Sequence, residues 1–497
     1  MADAVKEPFQ NDDLVTARLR KLAAIRDLGI DPFPRNFDRT HLSSQVLAKF
    51  EQLEGTTVHV AGRLVGAIRH MGKAGFAHLL DRDGRIQVFF KRDVLGDEGF
   101  SLYRLLDVGD FIGVEGTPFR TKTGDVTVEA REITFLAKAI RPLPEKWHGL
   151  TDAETRQRQR YLDLIANDDV RTLFDNRSRA IRAIREFLHQ RDFVEVETPI
   201  LQSVAAGAAA RPFSTHSNAL DDTLYLRIAI ELYLKRCIVG GIERVFEIGR
   251  VFRNEGLSFK HNPEFTMMEL YQAYADYTDI MELVESLVAH VAETVLGMTR
   301  VTWRGEPIDL APPWPRRSLR QLLIDHTGVD YEAYRDDASL RAAAATAGLG
   351  VDPAWNRAKV IDELMSTYVE PRLITPTFVV DYPTETTPLA KRRPDHPEEV
   401  ERFEAYIGGM EVANAFTELN DPLDQRVRLE EQAAQHAAGD EDAQALDWDF
   451  LEAIEHGMPP TGGLGLGIDR IIMVLADRQS IRDVILFPQL RSRDRDG

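Results

Sequence analysis

The chain has 497 residues, 43% of them hydrophobic, with a net charge of −19 and one cysteine. No apolar run approaches the ~18 residues of a membrane span. A lone cysteine, Cys237, excludes an internal disulfide and any cysteine-based metal cluster, and it reads as a small buried hydrophobe.

The polar start MADAVKEPFQNDD lacks the pattern of a signal or transit peptide, so the cytoplasm is the expected compartment. The charge is uneven. Residues 1–150 carry 22 basic and 21 acidic side chains, and the rest carry 39 and 59. Polyanion binding depends on local clusters rather than on the total. A near-neutral first part can therefore hold nucleic acid on one face while the acidic remainder serves a cation.

Residues 1–15 read as disordered. TARLRKLAAIRDL, 16–28, has apolar positions at helical spacing; its basic face is either solvated or turned to phosphates. From 57 to 140 come short strands, with Asp83-Gly84 and Thr123-Gly124-Asp125 as tight turns. About five strands in so short a stretch suggest an oligonucleotide-binding (OB) barrel, whose second and third strands face single-stranded nucleic acid. On that face Phe76 offers a stacking plane and Gln87 both a donor and an acceptor. RPLPEKWHGL is a proline-punctuated linker, which places a domain boundary near 147 and divides the chain into 1–147 and 148–497. A long amphipathic helix over 177–193 leads into FVEVETPIL, read as a strand closed by Thr198-Pro199. Residues 280–298 are helical, and 330–370 read as a helical insertion.

FEIGRVFRNEGLSFKHNPEFTMMEL, 246–270, reads as two strands joined by a loop about twice the usual two to five residues. Alternation puts Phe265, Met267, Glu269 and Tyr271 on one face and Met268 and Leu270 on the other. Glu247 and Arg253 oppose Phe246, Ile248 and Phe252. One face thus presents Arg253, two carboxylates, a phenyl ring and a phenol. Unpaired charges in a core cost several kcal/mol, so this face must meet water or a charged ligand. Arg253 is a fork suited to phosphate, Phe265 a plane suited to a purine, and Glu269 with Tyr271 suits a cation. Further along, Asn414, Phe416 and Glu418 share a strand face, with Glu404 and Glu411 before them. Alternation alone does not bring Glu404 and Glu411 together, so a turn or bulge at Gly408-Gly409 is expected. TGGLGLGIDRIIMVL, 461–475, is a glycine-rich strand opening a helix with Arg470 in its first turns. It matches neither the dinucleotide fingerprint nor a Walker loop.

These stretches resemble the three signature motifs of the class II aminoacyl-tRNA synthetases, and specifically the bacterial-type lysyl-tRNA synthetase family. The words are FVEVETPIL, FRNEGLSFKHNPEFTMMELYQAYADY and GGLGLGIDRIIMVL, with MGKAGF, TKTG, RQRYLDLI, GAAARPFSTHSNALD, RIAIELYLKR and IRDVILFP in order around them. The resemblance implies an α+β fold, with an N-terminal OB-fold barrel and a catalytic domain of antiparallel sheet flanked by helices. It implies ligation of L-lysine to tRNA(Lys) through lysyl-adenylate, with ATP as substrate, Mg²⁺ as cofactor and a homodimer built around Pro199.

By the same resemblance, Arg253 would hold the α-phosphate and the lysine carboxylate. Glu255, His261 and Asn262 would contact ATP, Phe265 would stack on adenine, and Arg470 would bind the γ-phosphate. Glu404 and Glu411 would hold Mg²⁺ beside the ATP. Gly207, Glu231, Glu269, Tyr271, Asn414, Phe416 and Glu418 would line the lysine pocket. Phe76 and Gln87 would read the anticodon. The sequence departs from the family pattern at Ile230, where proline is common, at Ala205-Ala206, which replace Pro-Gly, and at Val251, which replaces a polar residue. Aspartyl- and asparaginyl-tRNA synthetases share the barrel and motifs, but an aspartate carboxylate would be repelled by these glutamates. A lysyl transferase acting on protein would lack the barrel. An inactive RNA-binding scaffold would not need the intact arginines and carboxylates.

Overall fold

The structure, a computed structural model, describes residues 13–143, 150–208, 210–437 and 446–491. It divides into two compact units, Met1–Thr151 and Asp152–Gly497. The boundary expected near 147 and the first twelve residues of the expected disordered start lie outside the described residues. Residues 13–15 do not follow that expectation, because they belong to a helix, Asp13–Asp27.

In the first unit, strands Val58–Met71, Ala74–Leu80, Arg85–Lys91, Phe111–Arg120 and Val126–Ala137 close a barrel in the order 1-2-3-5-4. Val58, Val60, Leu79, Val88, Phe90, Ile112, Val114, Val128 and Phe135 fill it. The alternation that buries them turns Phe76 and Gln87 outward. The basic face of the first helix is divided. Arg18 donates to the carbonyls of Ala139 (2.6 Å) and Val108 (3.0 Å), and Lys21 pairs with Asp107 at 2.6 Å, while Arg20 and Arg26 stay exposed. Asp107 and the buried Asp110 also hold the buried Lys138, at 2.6 and 2.8 Å. A buried cation is tolerated only when so paired.

The second unit is built on an eight-stranded sheet. Its strands run in the order Arg316–Ser318, Thr377–Pro383, Glu399–Ile407, Met410–Thr417, Thr461–Gly467, Glu264–Ala273, Arg244–Phe252 and Val194–Glu195. All pairs are antiparallel except those at the two edges. Helices Asp168–His189 and Tyr277–Leu296 pack Ile184, Phe187, Ile280, Val284 and Leu287 onto Phe246, Met268, Leu270, Leu464 and Leu466. The second of these helices is set at its start by a capping box at Asp276 and at its end by left-handed Gly297. The opposite face is covered only in part, by the helices Glu231–Val239 and Trp448–Glu455, and it carries the candidate site. The helical stretch expected over 330–370 begins earlier, with the helix Leu319–Thr327, and its short helices bury Leu323, Leu340, Val360 and Leu364 against Val379, Tyr382, Val400 and Tyr406 of the sheet.

FVEVETPIL is not one strand. Only Val194–Glu195 joins the main sheet, and Leu201–Gln202 joins a separate three-stranded one. Between them the Thr198 N–H and hydroxyl both donate to Glu247, at 2.9 and 2.7 Å, and Pro199 has no N–H to give a ladder. Cys237 is half-buried. No helix among the described residues is long and apolar enough to cross a membrane.

Candidate active site

The expected hairpin forms from Arg244–Phe252 and Glu264–Ala273, and residues 253–263 are its loop. The glycine-rich strand pairs with Glu264–Ala273 on one side and with Met410–Thr417 on the other. Register then fixes two rows across the sheet. One reads Glu247, Glu269, Gly465, Asn414, Glu404; the next reads Val245, Tyr271, Gly463, Phe416, Arg402. The glycines are the floor of a pocket whose walls are the side chains beside them. A Cβ on Gly463 would sit 1.9 Å from Glu418 Oε1 and 2.5 Å from Tyr271 Cε1. The motif is therefore steric: its bare backbone leaves room for Glu418 and Tyr271.

The walls are acidic. Glu231 opens the helix Glu231–Val239, Glu269 lies mid-strand, and Glu418 follows the strand ending at Thr417; all three are buried. Glu269 accepts from the Ile230 N–H (2.9 Å) and the Tyr271 hydroxyl (3.3 Å). Burial, reinforced by Glu231, raises its pKa to about 7. Burial raises the pKa of Glu418 and the Lys235 ammonium against it works the other way; Lys235, despite its own burial, is raised by Glu231 and Glu418, so it keeps its charge and the two stand as an ion pair. Burial and the three carboxylates keep Tyr271 a neutral phenol. Phe416 lies beside this cluster, and Asn414 one row along. Gly207 stands near Glu231 at φ +90°, a left-handed backbone that favours glycine. The seven residues expected of the lysine pocket thus meet on one face.

Two of the departures have visible consequences. Ile230 supplies a backbone N–H to Glu269 that proline could not, and Val251 is buried in the apolar cluster behind the pocket. One expectation needs correcting. Glu247 does not face a ligand: it forms a buried ion pair with Arg227 at 2.6 Å, besides its bonds to Thr198.

Beyond the acidic end lies a basic one. The Arg253 guanidinium stands 5.4 Å from the centroid of the Phe265 ring, and its Nε donates to the Ile228 carbonyl at 3.3 Å. Glu255 is exposed on the loop. His261 contacts Ser258 Oγ at 2.8 Å and Arg470 Nη2 at 3.4 Å. Burial, then Arg470, Lys260 and Arg253, push its pKa down to about 4, so its imidazole is neutral at pH 7. Asn262 is buried, with its Nδ2 donating to Glu264 O at 2.7 Å and its Oδ1 without a hydrogen-bond partner. Arg470 follows Asp469 in the helix Ile468–Leu475. Asp469 accepts from the Thr266 N–H (2.7 Å) and pairs with Arg177 (2.6 Å), tying this helix to the hairpin.

The two carboxylates expected to hold a metal take different partners. The Gly408-Gly409 turn has positive φ at both residues, and a register shift follows Ala405. Glu404 is turned among Tyr382 (2.8 Å), Tyr406, Arg402 (2.6 Å) and Asn414 (3.4 Å). Glu411 is more open and pairs with Arg470 at 3.2 Å. Among the described residues no three His, Cys, Asp or Glu side chains form a metal cluster. A cation that brings most of its oxygen ligands with it, as Mg²⁺ does on a polyphosphate, needs only one or two carboxylates, and Glu411 is the more open of these two.

Several residues were missed by sequence reasoning. Lys235 lies fully buried in the acidic end, with Nζ 2.6 Å from Glu231 Oε1 and in contact with Glu418 Oε2. Its i,i+4 spacing from Glu231 was a readable signal. Arg402, Tyr382 and Tyr406 gave none. On the barrel, Phe76 packs on Phe89 with centroids 4.6 Å apart, Phe89 on Phe119 at 6.0 Å, and Gln87 Oε1 accepts from Thr127 at 2.7 Å. Alternation in RIQVFF could have added Phe89.

Comparison with known proteins agrees with this geometry. Residues 152–491 match the family described as tRNA synthetases class II (D, K and N), and residues 58–136 match the OB-fold nucleic acid binding domain. The chain is 54% identical over 483 residues to the lysine–tRNA ligase of Moorella thermoacetica, covering 97% of this chain and 99% of that protein. It is 52% identical to that of Carboxydothermus hydrogenoformans, with the same coverage, and 50% identical over 491 residues to that of Staphylococcus aureus strain MRSA252, covering 97% and 99%. The chain belongs to the lysine–tRNA ligase family and is a class II aminoacyl-tRNA synthetase with an OB-fold domain.

Proposed function

We propose that the acidic end of this site takes the side-chain ammonium of L-lysine and the basic end takes ATP, so that the lysine carboxylate meets the α-phosphate near Arg253. The observation that carries this reading is the buried trio Glu231, Glu269 and Glu418, with Glu269 four residues along the same strand from Phe265. A site that buries charge for a charged substrate rejects analogues lacking it, because its own groups would go unpaired.

In the first step a lysine carboxylate oxygen attacks the α-phosphorus in line. The bond to the bridging oxygen breaks, and pyrophosphate leaves. The nucleophile is already ionised, so no side chain needs to take a proton. Arg253 would hold the α-phosphate and the incoming carboxylate, Phe265 would stack on adenine, and Arg470 would release Glu411 to grip the γ-phosphate. Glu255, Asn262 and a neutral His261 would add hydrogen bonds to the nucleotide. Positioning and charge stabilisation then account for the rate. Mg²⁺ would be held by Glu411 and Glu404 and would neutralise charge on the phosphates. In the second step the terminal ribose hydroxyl of tRNA(Lys) attacks the mixed anhydride carbonyl, its proton passes to a phosphate oxygen, and AMP leaves.

The barrel face with Phe76, Phe89 and Gln87 would stack and read anticodon bases. A homodimer would form along the Val194–Leu201 edge, where Val194, Ile200 and Leu201 are 49%, 44% and 48% exposed around the exposed Pro199. ATP–pyrophosphate exchange with each of the twenty amino acids tests the reading. Lysine alone should support strong exchange, and strong exchange with aspartate or asparagine would overturn it. Replacing Phe76 with alanine should lower charging about tenfold, the equivalent of one lost base stack, and leave exchange unchanged.

A further inference from the structure

A lysine pocket that already contains a lysine needs explaining. Lys235 Nζ is completely buried, bridges Glu231 on its own helix to Glu418 on another segment, and is surrounded by the rings of Phe416, Phe450 and Tyr271 at 5.4, 5.9 and 6.0 Å. An ordinary i,i+4 pair lies at the surface and contributes little. Burying one is costly, and apolar side chains of similar volume usually serve stability as well or better. Stability alone therefore does not account for Lys235.

Its effect on the acceptors does. Lys235 donates to Glu231 Oε1 and lies against Glu418 Oε2 as an ion pair, which leaves one oxygen on each carboxylate. Glu418 Oε1 is buried and has no hydrogen-bond partner. Glu269 is engaged with the Ile230 N–H and Tyr271. One more ammonium, with three donors on a single point, suits what remains. A guanidinium brings five donors in a plane; it would find half of these oxygens taken and a positive charge beside them.

We propose that Lys235 is a specificity-determining positioning residue that holds Glu231 and Glu418 together and restricts the pocket to a single substrate ammonium, against guanidinium side chains. The proposal rests on the reading of this end of the site as the lysine pocket. It implies that the charge of Lys235 matters only in balance with Glu418. Removing Glu418 alone leaves Lys235 to repel the substrate, and removing both restores the balance.

The test is a double-mutant cycle of Glu418→Gln, Lys235→Met and both together, read in ATP–pyrophosphate exchange as KM for lysine, KM for ATP and kcat. Glu418→Gln should raise the lysine KM by about thirtyfold or more, with ATP KM within about threefold. The double variant should recover at least about fivefold of that loss, because coupled sites are non-additive. Two substitutions that merely loosen the fold would add instead, so a double variant with a lysine KM equal to or above that of Glu418→Gln overturns the proposal. This comparison does not depend on Lys235→Met being stable alone. Lys235→Arg, which keeps the charge but crowds the pocket, should raise the lysine KM while holding kcat; an unchanged KM counts against the proposal. Absence of lysine-dependent exchange in the unmodified protein would instead overturn the lysine reading itself.

Discussion

The two ends of the active site are made from the same strands yet follow opposite rules. At the acidic end the groups are buried and held by one another, Glu231 and Glu418 each by one oxygen to Lys235 and Glu269 to Ile230 and Tyr271, with Glu418 Oε1 left open. At the basic end the groups are more open and their partners provisional, with Glu255 exposed and Arg470 held by a carboxylate that a phosphate could replace. On the proposed reading, the contrast follows from the ligands. A small ammonium must be recognised by acceptors fixed in advance, since reorganising buried charge is costly. A triphosphate brings several charges of its own and can draw flexible arginines into place.

The comparison breaks most visibly at Arg253. Its replacement by alanine should lower exchange about 10³-fold, the scale of losing a main charge-stabilising group, and near-normal exchange would show that the basic end does not act on the reacting phosphate. Gly463→Ala tests the rigid end. The new methyl would meet Glu418 Oε1 and Tyr271, so the lysine KM should rise about a hundredfold while ATP KM moves little; equal effects on both substrates would mean that the two ends are not separately built.

A pH series sharpens the same point. Glu269, raised to about 7 by burial and Glu231, must be ionised to hold an ammonium. Lysine KM should therefore climb by up to about tenfold per unit as pH falls below about 7, and flatten above it. The sign for stability is the reverse: a carboxyl that keeps its proton in the folded state, in the window from its usual value up to about 7, contributes less stability as pH rises through that window. A flat lysine KM down to pH 5.5 would place the charge elsewhere. The smallest effect is expected from Ile230→Pro. Loss of one N–H donor to a buried carboxylate is worth about 1 kcal/mol, or about fivefold in lysine KM. No change on titrating this variant would show that Tyr271 alone suffices to hold Glu269.

The sequence was most legible where one strand's alternation carried the message. Met268 and Leu270 went to the core, and Glu269 and Tyr271 to the site, as a period of two requires. It failed where two distant segments had to meet. Nothing in FEIGR says that Glu247 will be taken by Arg227, twenty residues before it and on another element, and the error followed from treating every carboxylate on that face as available. The broken strand at FVEVETPIL has the same origin, since the Thr198 donors are diverted to that same Glu247. The glycine-rich motif matched no phosphate-binding fingerprint. Its reason became visible only when register placed Gly463 under Glu418 and Tyr271.

The charge lock at the base of the barrel has a consequence for how such a chain is assembled. Lys138, Asp107, Asp110, Lys21 and Arg18 all belong to the first unit, and the cylinder they fasten has no free strand edge. A piece that brings both its own oil and its own counter-ions requires no neighbour to finish it. Such a piece is portable: its aromatic face could be joined to a different enzyme without disturbing the arrangement that makes that face.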